Sequence, residues 1–249
     1  MIPELERAEA EAFASVLSAA GLPVTRVAGA ACFAAPGIPN FQLNRVAGLG
    51  LERDPTDDEL DEIEAFFRGH CSQFAVSLTP GSLHDRLLER GYTTGYAWMK
   101  FSRYASPAPP VATELNVEET TDADAFGSVI AEAFGLPTGS GFFGSVVGRP
   151  GWTLFLARAG DEPAGAGALF LHEGIGWLGI GGTRTEFRGK GAQNALIAAR
   201  IERGLELGAR AFTTETGERV PDRPSGSYRN ILRGGFDEAY LRCNLLSPE

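Results

Sequence analysis

The stretch TEFRGKGAQNALIAAR, Thr185 to Arg200, sets two glycines and two cations in front of an alanine-rich apolar run. A helix begins with unpaired N–H groups and a partial positive charge, so its start is a natural anion site. Glycines just before it let the backbone take positive φ and approach a ligand with no Cβ in the way. Arg188 and Lys190 add charge at the rim, and FRGKGAQNAL therefore reads as a phosphate cradle. It is not a nucleotide P-loop, because Gly191 follows the lysine where Ser or Thr is required. The dinucleotide pattern GxGxxG fails too: after Gly189 and Gly191 comes Asn194.

Immediately upstream, GWLGIGGT carries Gly179, Gly181 and Gly182 inside an apolar strand pattern. Glycine within a strand marks a bulge or another backbone coming close. A glycine-rich strand ending at an anion loop suits a ligand with a phosphate at one end and an amide-bearing arm that hydrogen-bonds like an added strand. Pantetheine is such an arm. The cations of this loop stand against a chain of net charge −10, which disfavours nucleic acid and anionic membrane as partners. Cys32, Cys71 and Cys243 are odd in number and far apart, which excludes a disulfide framework and zinc spacing. A cysteine–histidine arrangement with His70, His84 or His172 is not separable from three thiols without a role. The acidic start MIPELERAEAEAF lacks the layout of a signal peptide, so a soluble, cytoplasmic protein is expected.

Along the chain the clearest break is RYASPAPPVAT, where Pro107, Pro109 and Pro110 stop any helix or central strand. The halves on either side end alike. Aligning Gly91 with Gly235 also matches Leu88 to Leu232, Tyr92 to Phe236 and Tyr96 to Tyr240, a helix ended by glycine and then a strand. The periodicity predicts, for the second half, a strand at 113–121, a helix capped by Asp122, three strands, the long helix after the loop, and a strand–helix–strand ending. In the first half it predicts a helix over 4–21, a single strand in VTRVAGAACFAA, a helix capped by Thr56, and a strand in SQFAVSLTPG. A duplication follows, with domains at 1–104 and 113–249 joined by a linker at 105–112.

Residues 113–246 resemble a GCN5-related N-acetyltransferase (GNAT) domain, whose loop pattern is Arg/Gln-x-x-Gly-x-Gly/Ala; Arg188 and Gly191 match it, and Gln193 replaces the last small residue. The resemblance implies a mixed α/β fold of two GNAT-like domains, each a mostly antiparallel sheet flanked by helices, the first one degenerate. It implies acetyl-CoA as acyl donor and an amine, small or on a protein, as acceptor. By the same resemblance Gly181, Gly182, Thr183 and Arg184 would meet pantetheine, and Arg188, Gly189, Lys190, Gly191, Ala192, Gln193 and Asn194 the pyrophosphate. Two departures stand out: Ile231 occupies the place of a tyrosine that protonates the leaving thiolate, and Pro224 that of an asparagine on the cofactor.

Acyl transfer needs an uncharged amine, donors for an oxyanion and a proton for the departing sulfur. Glu215 and Glu218 in TTETGE are the carboxylates placed to relay the amine's proton, and Tyr228, one helical turn before Ile231, the phenol placed to supply the acid. Against these stand a surface glutamate and a core tyrosine. The first half's equivalent loop, LERDPTDDELDE, crowds Glu52, Asp54, Asp57, Asp58 and Glu59 at the helix start; they suit the dipole and repel a pyrophosphate. A chain beginning near Pro110 is therefore expected to keep acetyl-CoA binding. The competing function is a non-catalytic acyl-CoA-binding or regulatory module. An interaction scaffold has to explain away loop and strand glycines together. The chain could be a monomer or a homodimer.

Overall fold

The computed structural model describes residues 1–79, 81, 83–136, 141–220 and 225–248, and is mixed α/β. The chain forms two compact units, one of residues 1–100 with 240–249, the other of residues 101–239.

The first unit opens with α1 (Ile2–Ala19), whose Leu5, Phe13, Val16 and Leu17 recur at helical spacing and are buried. Then follow β1 (Val24–Val27), β2 (Ala30–Phe33), β3 (Arg45–Ala47), α2 (Asp57–Arg68), β4 (Ala75–Leu78), α3 (Leu83–Glu89), β5 (Thr93–Thr94) and the start of β6 (Trp98–Tyr104). β1–β2 and β2–β3 are antiparallel and β3–β4 parallel. The far side of β4 is taken by the C-terminal end of β12 (Asp237–Leu246), antiparallel, with Cys243 opposite Leu78 and Leu246 opposite Ala75. Leu60, Ile63 and Phe67 of α2 pack with Val46, Val76, Leu78, Leu87 and Leu245 in its core.

The single strand expected over VTRVAGAACFAA is instead the β1–β2 hairpin. Its turn is Ala28–Gly29, both at positive φ (49° and 78°). The primed two-residue turn matches the twist of the strands, and an alanine in a place where Asn or Gly is usual hid it.

The second unit holds the end of β6, then β7 (Asn116–Thr120), α4 (Ala123–Phe134), a 3-10 turn (Gly141–Val146), β8 (Trp152–Ala159), β9 (Glu162–His172), β10 (Ile175–Thr183), α5 (Ala192–Glu206), β11 (Ala211–Gly217) and α6 (Gly226–Arg233). Asp122 caps α4 by accepting from the Ala125 N–H at 2.9 Å. Strands run β6-β11-β10-β9-β8-β7, antiparallel from β7 to β10 and parallel between β10 and β11. The sequence antiparallel, antiparallel, parallel is that of β1 to β4, with a helix before the first strand and another inside the parallel crossover in each unit. The order of elements from α1 to β4 thus repeats in that from α4 to β11.

The aligned ends match in detail. The Gly91 and Gly235 N–H groups donate to Leu88 and Leu232 O, and those of Tyr92 and Phe236 to Leu87 and Ile231 O. Both glycines are left-handed (φ 88° and 77°), a helix stop that a Cβ would strain. Residues 105–112 do not hang free. Arg103 donates to Ser106 and Pro107 O (2.8 and 2.5 Å), and the Ala108 N–H to Glu202 (2.6 Å), so the proline-rich segment lies within the second unit.

Candidate functional site

The pairing of β10 with β11 stops early. Ile175, Gly176 and Trp177 face Ala211, Phe212 and Thr213, and the Thr214 hydroxyl donates to Leu178 O at 2.7 Å. Beyond that rung the described residues of the two strands continue without pairing to each other. The cause lies in β10: its register with β9 breaks between Gly179 and Gly182, and Ile180 is left-handed at φ 49°. A bulge bends its strand and re-aims it. Because β10 and β11 are parallel, their carboxyl ends coincide, and ligands of α/β sheets bind at such an opening.

The β10 glycines make room for the protein's own groups. A Cβ on Gly179 would strike the Trp177 ring, one on Gly182 would sit 2.5 Å from Ala133 of α4, and one on Gly181 3.2 Å from the Gln193 Oε1. The close approach read from the sequence is therefore internal at these three positions, while the bulge is real. Gly182 and Thr183 lie in register with β9, and the Arg184 N–H donates to Ala164 O at 3.0 Å. The Arg184 side chain turns to α4, pairing with Glu132 at 3.2 Å.

The loop after β10 behaves differently. Gly189 and Gly191 are left-handed (φ 80° and 85°), and Gly191 stands as the N-cap of α5 with no side chain capping it. None of the N–H groups from Gly189 to Asn194 has a partner among the described residues. The Arg188 side chain, exposed, has no hydrogen bond or ion pair among the described residues, and the Lys190 ammonium lies 4.9 Å over the Phe187 ring. A Cβ at Gly189 would meet open space, whereas one at Gly191 would lie 3.3 Å from Thr113. The Thr113 hydroxyl donates to Lys190 O at 2.8 Å and fixes the loop from behind. Gln193 Nε2 donates to the Thr183 hydroxyl (2.9 Å), bringing the departure from the loop pattern onto the end of β10. A cavity of about 280 Å³ adjoins the loop, between residues 109–112, Asn194 and Ala198 of α5, and Arg233–Gly234. The residues present therefore fit a bound diphosphate: uncapped donors in a row, two cations with no carboxylate partner among the described residues, and a glycine facing outward.

The corresponding helix start in the first unit is closed. Thr56 Oγ1 accepts from the Glu59 N–H and Glu59 accepts from the Thr56 N–H (2.8 Å), a capping box. Glu59 also holds Arg53 by both oxygens (2.8 and 2.5 Å). The hydrogen bond from Arg53, with that from Thr56, lowers the Glu59 carboxyl to about 2.

Of the three groups expected to move protons, Glu215 lies on β11 just past the last rung, at the opening, and Glu218 directly follows that strand. Tyr228 is buried in the first turn of α6 with its ring edge-on to Phe101 (4.9 Å) and under Arg219 (4.5 Å). Burial, with a hydrogen bond to Glu238, raises its phenol to about 12. Ile231 is buried on the same helix, and Pro224 lies outside the described residues. Burial lifts the Cys32 thiol to about 12, and among the described residues no histidine, cysteine or carboxylate cluster could hold a metal. No helix of the described residues is long and apolar enough to cross a membrane. Sequence reasoning passed over Arg200, which sits at a core position of α5 and contacts the bulge. The signal was an arginine on the apolar stripe of an amphipathic helix.

Among solved structures the chain is similar over 96% of its length, and 96% of the other's, to a GCN5-related N-acetyltransferase from Kribbella flavida, with 17% identity and a TM-score of 0.64. A second such protein, from Sphaerobacter thermophilus, is 17% identical with a TM-score of 0.60 over 82% of this chain and 71% of that one. A tandem GNAT protein from the clavulanic acid biosynthesis pathway is 16% identical, with a TM-score of 0.56 over 77% and 70%. No family model matches the sequence, and no curated relative does. The chain has the GCN5-related N-acetyltransferase fold.

Proposed function

We propose that the second unit binds acetyl-CoA and that the protein transfers the acetyl group to the amine of a small molecule or a protein. The observation that supports this most is the run of unpartnered N–H groups from Gly189 to Asn194, uncapped and flanked by Arg188 and Lys190. Those groups would hold the pyrophosphate, and the opening between β10 and β11 would take the pantetheine arm. Acetyl-CoA supplies an activated thioester, whose C–S bond is exchanged for the amide C–N bond of the product. Glu215 would take the amine's proton, directly or through water, and Tyr228 would have to leave Glu238 to protonate the sulfur. The first unit, whose own Glu59 fills the matching helix start, would not bind the cofactor.

Calorimetry of the full chain with acetyl-CoA should give a micromolar to sub-millimolar Kd. Release of free CoA should follow on adding an amine from a panel of polyamine, aminoglycoside and lysine peptide. No binding overturns the proposal. Binding without release from any amine favours a non-catalytic acyl-CoA-binding module, the reading that Ile231 in the tyrosine's place supports.

A further inference from the structure

Arg200 occupies the sheet-facing stripe of α5 that Leu196, Ile197 and Ile201 otherwise fill with apolar side chains. It is 3% exposed. Its Nε donates to Leu196 O at 2.9 Å, and its Nη1 donates to Ala168 O of β9 and Gly179 O of β10, each at 3.2 Å. Burial lowers its pKa to about 9, and among the described residues no carboxylate pairs with it. Gly167 makes its space: a Cβ there would lie 3.0 Å from the guanidinium carbon. A buried cation with no counter-ion among the described residues is costly, and a leucine would suit the stripe better. Its carbonyl partner Gly179 is the last residue in register before the bulge.

We propose that Arg200 is a positioning residue for acyl transfer: from beneath the sheet it ties Gly179 to Ala168, fixes the bulge at Ile180 and Gly181, and sets an uncompensated positive charge under the opening. This rests on the acyl-transfer reading above. Negative charge grows on the thioester oxygen as the amine attacks, and a fixed cation in a water-poor site stabilises that charge more than it stabilises the neutral ground state. Such a residue acts on turnover and leaves cofactor affinity, set by the loop, nearly alone.

The test uses the full chain with Arg200→Met, Arg200→Gln and Arg200→Lys. Free-CoA affinity is measured by calorimetry, and kcat by CoA release with the fastest amine of the panel. Arg200→Met should lose roughly thirtyfold or more in kcat with Kd within about threefold. Arg200→Lys should recover to within about tenfold of wild type, while Arg200→Gln, which keeps N–H donors without charge, should stay with Met. Equal kcat in the Lys and Gln variants overturns the inference, as does a loss that appears in Kd instead. If Arg200→Met does not fold, the Lys–Gln comparison decides alone. Wild-type protein that binds no CoA, or releases none, instead overturns the acyl-transfer reading.

Discussion

At the scale of single residues, Gly189 and Gly191 share a left-handed backbone but differ in what their missing Cβ would meet. Gly189→Val should strain φ and push a branched side chain into the ligand's approach, weakening acetyl-CoA binding by more than about tenfold, or roughly 1.4 kcal/mol. Both substitutions carry the strain of a non-glycine residue at positive φ, about 1–3 kcal/mol, but a Cβ at Gly191 also lies 3.3 Å from Thr113 of the protein itself, so Gly191→Val should lower folding stability further. Calorimetry and denaturant unfolding on the two variants separate these effects; equal unfolding midpoints would show that Thr113 yields. Tyr228 stands on weaker ground as an acid. Its phenol, near 12 and bonded to Glu238, would pass a proton to a sulfur whose thiol is ordinarily near 8.5, an uphill step. Tyr228→Phe should therefore cost about tenfold in kcat, less than the roughly hundredfold or more usual for acid catalysis, with free-CoA affinity unchanged. Full turnover in that variant would give the proton to water.

Among the elements, α2 and α5 show how one crossover helix can open or close an anion site by its first residues. α5 starts with glycine and leaves its donors bare, while α2 starts with Thr56 and folds Glu59 back on them. Thr56→Ala should cost about 1 kcal/mol of stability. The Glu59 carboxyl is lowered to about 2, below its unfolded value, so its contribution is fully present above the unfolded pKa near 4.3 and disappears as pH falls through 2. Acid unfolding of wild type and Glu59→Gln should converge at the low end of that window; a gap that persisted below pH 2 would mean another group is responsible. The difference between the two helix starts was legible in sequence, because capping boxes and glycine pairs are local patterns. The polar interior of the first unit was not. Glu6 and Glu9 of ELERAEAEAF look like a solvated helix face, yet both are buried, Glu9 against Arg45, Lys100 and Arg242, and Glu6 against Arg242 and Tyr240. Their partners come from residues up to the C-terminal strand, and no local pattern announces a pairing that distant. Arg200 escaped for the same reason, since its partners are carbonyls of β9 and β10.

Over the whole molecule, the repeat of element order could be read from matched chain ends, but the destination of each half's last strand could not. β6 closes the first half in sequence, and its final residues belong to the second unit, where the Thr213 hydroxyl donates to Phe101 O at 3.0 Å. β12 closes the second half, and residues 240–246 lie in the first unit against β4. A cut in the proline-rich segment thus removes a strand from each unit, which revises the expectation that a chain beginning near Pro110 binds acetyl-CoA on its own. Fragment 105–249 lacks the strand beside β11, leaving the parallel crossover that carries the anion loop with a bare edge. Fragment 1–104 lacks the neighbour of β4 and loses Arg242 from around Glu9, which leaves buried carboxylates short of a cation. Each fragment alone should be poorly soluble and bind no acetyl-CoA, whereas co-expressed fragments should co-purify at equal amounts and recover binding within about tenfold of the intact chain. Size-exclusion chromatography and calorimetry on the three preparations read this directly. A fragment 105–249 that is monomeric and binds acetyl-CoA as well as the intact chain would show that β6 is dispensable to the site, and that the loop and α5 hold their geometry without it.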